Sequence, residues 1–557
     1  MLKFLLSFFL IIAVPVLPAR AEGGSVSSAD PRATAAGQEI LRKGGSATDA
    51  ALAMLVALTV VEPQSSGIGG GGFLIHHDGR LGLLDTIDGR ETAPSAAGPG
   101  RFLGTDGKPL PFIRAFPGGL SVGVPGNLRL MEMAHRKWGK LPWTDLFQPA
   151  IRLAEEGFEV NQILYSRLTA TAPLWKDFPD AQAIYWREGK PVPVGTVIRN
   201  PALAAFLKRL ATEGPSAFYS GANAQAITNA LARAPINPAV MTPEDLTAYQ
   251  AKQRPALCSH YRIYVVCGMG PPSSGAIAII QMLGMLERFD MAKLGADNPK
   301  SWHLIGEAMR LAYADRDKYL GDRDFVEVPV AGLIDPNYLL RRSKLISADH
   351  ARKNYEPGTP AGAVKRTPAP SSEVPATSHF VAADGNGNIV TMTSTIEGAF
   401  GSQLIANGYF LNNELTDFSF APEKDGAPVA NRVEAGKRPL SSMSPTIVYD
   451  ANGKPILALG SAGGKRIIMH VLKTLVGVLD FGLPVETAIA LPNIFFNDEG
   501  LLVEQDSSVA AMIPALEKLG QKVQATVVTS KVNAVQRAAN GWTGAADPRS
   551  PGVALAE

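Results

Sequence analysis

The sequence predicts a mixed α+β fold, on three observations. Its middle third carries helical periodicity, the runs after Gly69 and after Thr377 alternate like strands, and a Pro-rich stretch divides the second β-rich part from the rest. With 46% hydrophobic and 19% charged residues, the 557-residue chain can bury a large core. Its length fits two or three units at ~100–200 residues each.

The elements follow in order. Lys3, the apolar run "FLLSFFLIIAVPVLP" and Ala19-Arg20-Ala21 read as a secretory signal over residues 1–21, with the mature chain starting near Glu22. The run is shorter than the ~20 residues that span a bilayer and Pro15 and Pro18 interrupt its end, so no stable membrane anchor is expected. The protein is placed outside the cytoplasm. "TAAGQEILRKGGSATDAALAMLVALTVVEP" reads as two helices broken at Gly44-Gly45. "GIGGGGF" then leads into strands; it reads as close backbone packing, since the rest of a dinucleotide fingerprint is missing. "PPSSGAIAIIQMLGMLERFD" reads as a Ser-capped buried helix and "SWHLIGEAMRLAYADRDKYLGD" as an amphipathic one. Residues 354–376 carry five prolines and few large apolar side chains, the composition of an exposed, mobile linker. At Ala376/Thr377 the sequence turns β-rich.

That boundary has chemical consequences. "DGNG" is a hairpin turn signal between alternating runs. A turn centred between Asn386 and Gly387 sets Thr377 opposite Ile396 with Thr395 beside it, within the ~5 to 8 Å of opposed and diagonal neighbours. An internal Thr hydroxyl is a poor nucleophile. An N-terminal one carries its own base, because its α-amine titrates near ~7.7 and can take the hydroxyl proton. A chain cut at Ala376/Thr377 would expose such a group. Thr is also simply common in strands, and the pattern alone leaves both readings open.

Charge and cysteines narrow the classes. Removing Lys3 and Arg20 takes the formal net charge from +2 to 0, and no basic tract or aromatic-basic face suggests nucleic acid. Cys258 and Cys267 lie on two β-rich arms around a turn; an oxidising compartment would allow a bridge, and two buried thiols are the alternative. The eight His are scattered and none stands at ligand spacing with the cysteines, so no metal site is expected.

Many ordered motifs carry a resemblance over almost the whole mature chain: "GGSATDAALAM", "VVEPQSSGIGGGGF", "DGRETAP", "SVGVPG", "PPSSG", "AYADRDKYLGD", "TSHFVAADGNGN", "FLNNELTDFS", "KRPLSSMSPTIV" and "ADPRS". The sequence resembles the γ-glutamyltransferases (glutathione hydrolases) of the N-terminal nucleophile hydrolases. The resemblance implies a four-layer αββα sandwich. It implies self-cleavage into a large subunit, 22–376, and a small one, 377–557, that stay together as a heterodimer. It implies attack by Thr377 on a γ-glutamyl amide such as that of glutathione, transfer of the acyl group to water or to amino acid or dipeptide acceptors, and no cofactor.

The same resemblance assigns residues. Thr395 matches the second threonine of the family's pair. Arg90 matches the arginine for the substrate α-carboxylate, where a guanidinium fork suits two oxygens; alone it would read as a surface ion pair with Glu91 or Asp88. Glu414 and Asp417 match acceptors of the α-ammonium, and alone would read as a solvated acidic turn. Ser441 and Ser442 match hydroxyls around the carboxylate and the pocket wall. Gly463 and Gly464 match the oxyanion-hole pair, where the missing Cβ allows close approach. "GSAGGKR" lacks phosphate-loop spacing.

Three features depart from the family pattern. Glu397 stands where well-known members carry Asn against the substrate's amino-acid end; a carboxylate there either favours the ammonium or crowds the site with negative charge. The segment from Ser419 to Gly436 is shorter than in members with a lid and has no Tyr, so an open pocket is expected, able to admit poly-γ-glutamate or glutaryl-amide antibiotics. Ala376 differs from a more polar residue in several relatives, which should alter only the processing rate. The rival readings are an amidase of the same fold with another acyl preference and a non-catalytic binder of γ-glutamyl peptides.

Overall fold

The computed structural model describes residues 23–369 and 376–557. The signal segment and the last six residues before Ala376 lie outside the described residues.

The strands that build the two large sheets are, in chain order, Ser25–Ser28 (β1), Gly71–His77 (β2), Leu84–Gly89 (β3), Lys252–Arg254 (β4), Leu257–Tyr261 (β5), Tyr264–Gly268 (β6), Ser378–Ala383 (β7), Ile389–Thr395 (β8), Thr446–Tyr449 (β9), Pro455–Gly460 (β10), Asn533–Ala538 (β11), Gly541–Ala546 (β12) and Val553–Ala556 (β13). The first sheet runs β13-β1-β7-β8-β2-β3-β4 and the second β12-β11-β10-β9-β6-β5, with every described pairing antiparallel. Segments from both sides of Ala376/Thr377 share each sheet, interleaved in the first and side by side in the second. A cut there would therefore leave two chains joined through main-chain ladders in both sheets.

Helices Pro31–Arg42 (α1) and Ala47–Val61 (α2) cover the outer face of the first sheet. Helices Gly275–Leu286 (α3), Pro299–Tyr319 (α4) and Ile467–Leu479 (α5) pack together beneath the second. Between the sheets lies a smaller apolar layer with Ile75, Val381, Ile447, Ala458 and Val535. The "GGGG" run begins β2, and a Cβ on Gly70 would sit 1.9 Å from the Thr395 carbonyl oxygen. Close backbone packing is thus its role, and it lets β2 lie directly against β8.

Several expectations change. The hairpin centres on Asn386, half a position from the sequence estimate, which shifts each cross-strand partner by one residue, because Asp384 accepts from the Asn386 and Asn388 N–H groups and closes a five-residue turn. Ser378 pairs with Ser394, so the next residue out, Thr377, faces Thr395 itself and not Ile396. Ser274 precedes α3 but does not cap it: its hydroxyl donates to Ser441 O at 2.7 Å, and Ser273 Oγ accepts from Gly275 N–H at 3.0 Å.

The described part of the Pro-rich segment, 354–369, is half-buried over much of its length and tied down, not freely exposed. Gly358 N–H donates to Asp315 at 2.7 Å, Tyr319 Oη to Gly358 O at 2.7 Å, and Ala369 N–H to Asp317 O at 2.9 Å. Polar groups in the last turns of α4 satisfy a backbone that cannot form its own ladder. Cys258 and Cys267 face each other across the β5–β6 hairpin and form a disulfide.

Candidate active site

Thr377 lies one residue before β7, where the pleat sends its side chain to the same side as His379 and, across the ladder, Thr391, Thr393 and Thr395. That side faces the second sheet. Thr391 Oγ1 donates to Leu459 O at 3.2 Å, and a Cβ on Gly460 would collide with the His379 ring. The loop that leaves β10 after Gly460 therefore starts beside the nucleophile candidate.

The Thr395 hydroxyl organises the junction. It donates to Ala376 O at 2.9 Å and accepts from Thr377 Oγ1 at 3.3 Å and from Glu397 N–H at 2.8 Å. One proton and two lone pairs are thereby used. Thr377 Oγ1 also lies 2.8 Å from Ala376 O. Both hydroxyls are buried, Thr377 at 3% exposure and Thr395 at 2%. His379, two residues on, is no base for them: burial lowers its pKa to about 3, and its ring nitrogens meet Thr393 and Thr391.

Arg90 follows directly on β3. Its environment overturns the reading of a surface pair and of a solvated acidic turn, since Arg90, Glu91, Glu414 and Asp417 are all buried. Its Nη1 donates to Glu414, its Nη2 to Asp417 at 2.5 Å and to Leu440 O at 2.8 Å, and its Nε to Pro439 O at 3.2 Å. Four of five N–H groups are engaged, so the two-pronged grip expected for a substrate carboxylate is taken by the protein's own carboxylates. Burial would lower the Arg90 pKa, but the charges of Glu414 and Asp417 outweigh it and hold the guanidinium charged. Burial, with the neighbouring charge of Glu414, drives the Glu91 pKa well up.

Glu397, on a backbone with φ of +75°, completes the cluster. One carboxylate oxygen each from Glu397, Glu414 and Asp417 lie within 4.8 Å of one another. Such a set can gather a cation; the structure already places one guanidinium against two of its members. Ser442 Oγ accepts from Arg316 Nη2 at 2.9 Å, and Ser441 Oγ accepts from Met443 N–H at 3.2 Å. Gly463 and Gly464 have φ of +132° and +59°, conformations that favour glycine. Among the described residues neither N–H donates to another group.

Sequence reasoning missed several participants. Arg316 lies inside the quoted "AYADRDKYLGD", yet only the fold brings it to Ser274 and Ser442. Asn431 ties the site together, donating to Asp417 O at 2.7 Å and accepting from Leu440 N–H at 3.0 Å. Glu62 accepts from Ser378 Oγ at 2.5 Å and from Lys531 Nζ at 2.7 Å, bracing the residue after Thr377. No local pattern marks these residues.

Comparison with known proteins gives the family. The family model described as Gamma-glutamyltranspeptidase matches residues 33–557. The chain is 38% identical over 550 residues to the glutathione hydrolase proenzyme of Escherichia coli strain K12, covering 96% of this chain and 91% of the relative. It is 35% identical over 549 residues to the acylase ACY 1 proenzyme of Pseudomonas sp. strain SE83, covering 97% and 94%. Among solved structures, the cephalosporin acylase from Bacillus halodurans superposes with a TM-score of 0.85 at 26% identity, covering 99% of each chain. The Helicobacter pylori gamma-glutamyltranspeptidase gives a TM-score of 0.56 at 33% identity, covering 62% of this chain and 97% of that one. The chain therefore belongs to the gamma-glutamyltranspeptidase family of amide-cleaving enzymes. Its relatives divide between glutathione hydrolases and acylases.

Proposed function

We propose that this chain is an exported, self-processing γ-glutamyl hydrolase and transferase of the N-terminal nucleophile type, acting on glutathione and its conjugates. The observation that carries the reading is the buried acidic cluster around Arg90. Glu397, Glu414 and Asp417 bring three carboxylates together beside the Arg90 guanidinium, and burial with the Glu414 charge disfavours ionisation of Glu91 next to them. A buried cluster of carboxylates favours a ligand bearing an ammonium group and disfavours one bearing only a carboxylate. A γ-glutamyl group carries that ammonium; a glutaryl group does not. Its α-carboxylate would take the remaining Arg90 N–H and the hydroxyls of Ser441 and Ser442.

Self-cleavage begins with the Thr377 hydroxyl adding to the Ala376 carbonyl carbon. The oxygen that gains charge is Ala376 O, which the Thr395 hydroxyl already faces. The Ala376–Thr377 C–N bond breaks, the nitrogen takes up a proton, and an ester on Thr377 Oγ remains. Water hydrolyses that ester to the Ala376 carboxylate and a free Thr377 amine. The amine then serves as base. It takes the hydroxyl proton as Oγ attacks the γ-amide carbonyl, and the Gly463 and Gly464 N–H groups receive the oxyanion. The proton passes to the departing amine of cysteinylglycine, and water or an amino acid acceptor opens the γ-glutamyl ester. The large subunit would end at Ala376 and the small one begin at Thr377. Export to the periplasm fits the Cys258–Cys267 disulfide.

A second reading, an acylase for glutaryl amides, is favoured by the acylase relatives and by the short segment from Ser419 to Gly436. One experiment separates the two: turnover of γ-glutamyl and glutaryl p-nitroanilides by the purified enzyme. The proposed function requires the first to exceed the second; the reverse order would replace it with the acylase.

A further inference from the structure

The buried histidine His470 has no part in the chemistry described above. It lies on the first turns of α5, the helix that starts directly after the Gly463–Gly464 turn. Its Nδ1 is 3.0 Å from Ser461 Oγ, and Ser461 Oγ in turn donates to Ala462 O at 3.2 Å. A serine hydroxyl has one proton; with it on Ala462 O, Nδ1 supplies the proton of the Ser461–His470 contact. The ring also underlies the next residue: its Cε1 is 3.1 Å from where a Cβ on Gly463 would stand. His470 is 1% exposed, and burial, assisted by the nearby Lys473 charge, lowers its pKa to about 3. A buried, neutral ring thus meets Ser461 directly, reaches Ala462 through it, and lies beside the face of Gly463 where a Cβ would stand.

We propose that His470 is a positioning residue for the oxyanion turn, holding Ser461 and Ala462 through Nδ1–H and supporting Gly463 from below so that the Gly463 and Gly464 N–H groups are aimed before substrate arrives. The inference rests on the proposed role of the glycine pair. Its physical basis is preorganisation: donors that need not reorient as charge develops stabilise a transition state more than donors that must. Self-cleavage does not share this dependence, because the oxyanion formed there is Ala376 O, faced by Thr395 and not by the turn.

The test compares His470→Leu, His470→Asn and Ser461→Ala with the parent. It measures self-cleavage by intact mass and kcat and KM for γ-glutamyl p-nitroanilide on the processed enzyme. His470→Leu should process at the parent's rate yet lose about tenfold or more in kcat with KM within about threefold, a fraction of the loss on removing an oxyanion donor outright. His470→Asn, which keeps an N–H near the Nδ1 position, should recover most of that loss. Ser461→Ala, which barely changes volume, should show the same kcat-selective defect even if His470→Leu does not fold. Unchanged kcat in Ser461→Ala, equal loss in the Leu and Asn variants, or slowed self-cleavage in parallel with turnover would each overturn the proposal. A parent that cleaves itself but does not turn over the γ-glutamyl substrate would instead overturn the proposed function.

Discussion

Thr395 donates its hydroxyl proton to the carbonyl oxygen of Ala376 at 2.9 Å while accepting the hydroxyl of Thr377 at 3.3 Å. One side chain thereby holds both the bond to be cut and the group that would cut it.

Removing either threonine should stop or slow the cut for different reasons. Thr377→Ala should leave one uncut chain by intact mass. Thr395→Ala should leave the nucleophile in place but slow cleavage by about a hundredfold, the scale of one lost oxyanion donor. Thr395→Ser should cleave nearly normally.

Arg90 is the counterion of a buried acidic group. Arg90→Met should destabilise the protein by about 3–5 kcal/mol, the scale of leaving a buried charge unpaired. Glu91→Gln should leave the melting temperature nearly unchanged at pH 7, because burial and the Glu414 charge raise the Glu91 pKa and disfavour its ionised form. A large loss in Glu91→Gln, read by thermal denaturation, would contradict this.

Glu397 should set acyl preference. Glu397→Asn removes one negative charge from the ammonium site and should raise the ratio of glutaryl to γ-glutamyl turnover about tenfold, since a charge-assisted hydrogen bond is worth roughly 1.5 kcal/mol or more. The two p-nitroanilides measure it directly.

Acid should weaken the fold through its buried histidines. His76 stacks on Trp138 at 4.1 Å, and burial lowers its pKa from 6.5 to about 3. In the unfolded chain it binds a proton below about 6.5, whereas in the folded chain it stays neutral down to about 3. The unfolded state thus holds more protons across that window, so stability is full above pH 6.5 and falls toward pH 3. His76→Phe, tested in uncut Thr377→Ala chain, should reduce the loss between pH 6.5 and 4.5 by about 2–3 kcal/mol, at about 1.4 kcal/mol per pH unit. Equal slopes with and without His76 would refute the assignment.

The two threonines, the helix pair α1–α2 and the glycine run that leads into β2 were legible because each depends on near neighbours: a hairpin's alternation, an apolar run broken at a glycine pair, a backbone contact that excludes Cβ. The family's ordered motifs supplied Arg90, Glu414, Asp417, Ser441, Ser442 and the Gly463–Gly464 pair as candidates. The hairpin register came out one residue off, because Asp384 closes the turn through bonds that the "DGNG" signal does not specify.

What the sequence by itself determined is the order and local character of the elements, and with them the family and the nucleophile candidate. Tertiary structure alone decided that Arg90 meets Glu414 across 324 positions of chain, that Arg316 reaches Ser442, that the Pro-rich segment lies against α4, and that His470 sits beneath Gly463. The physical reason is range. Periodicity and turn chemistry act over a few residues, whereas a buried charge takes its partner from whichever segments the packed sheets bring within about 3 Å, and that choice is made only when water is excluded.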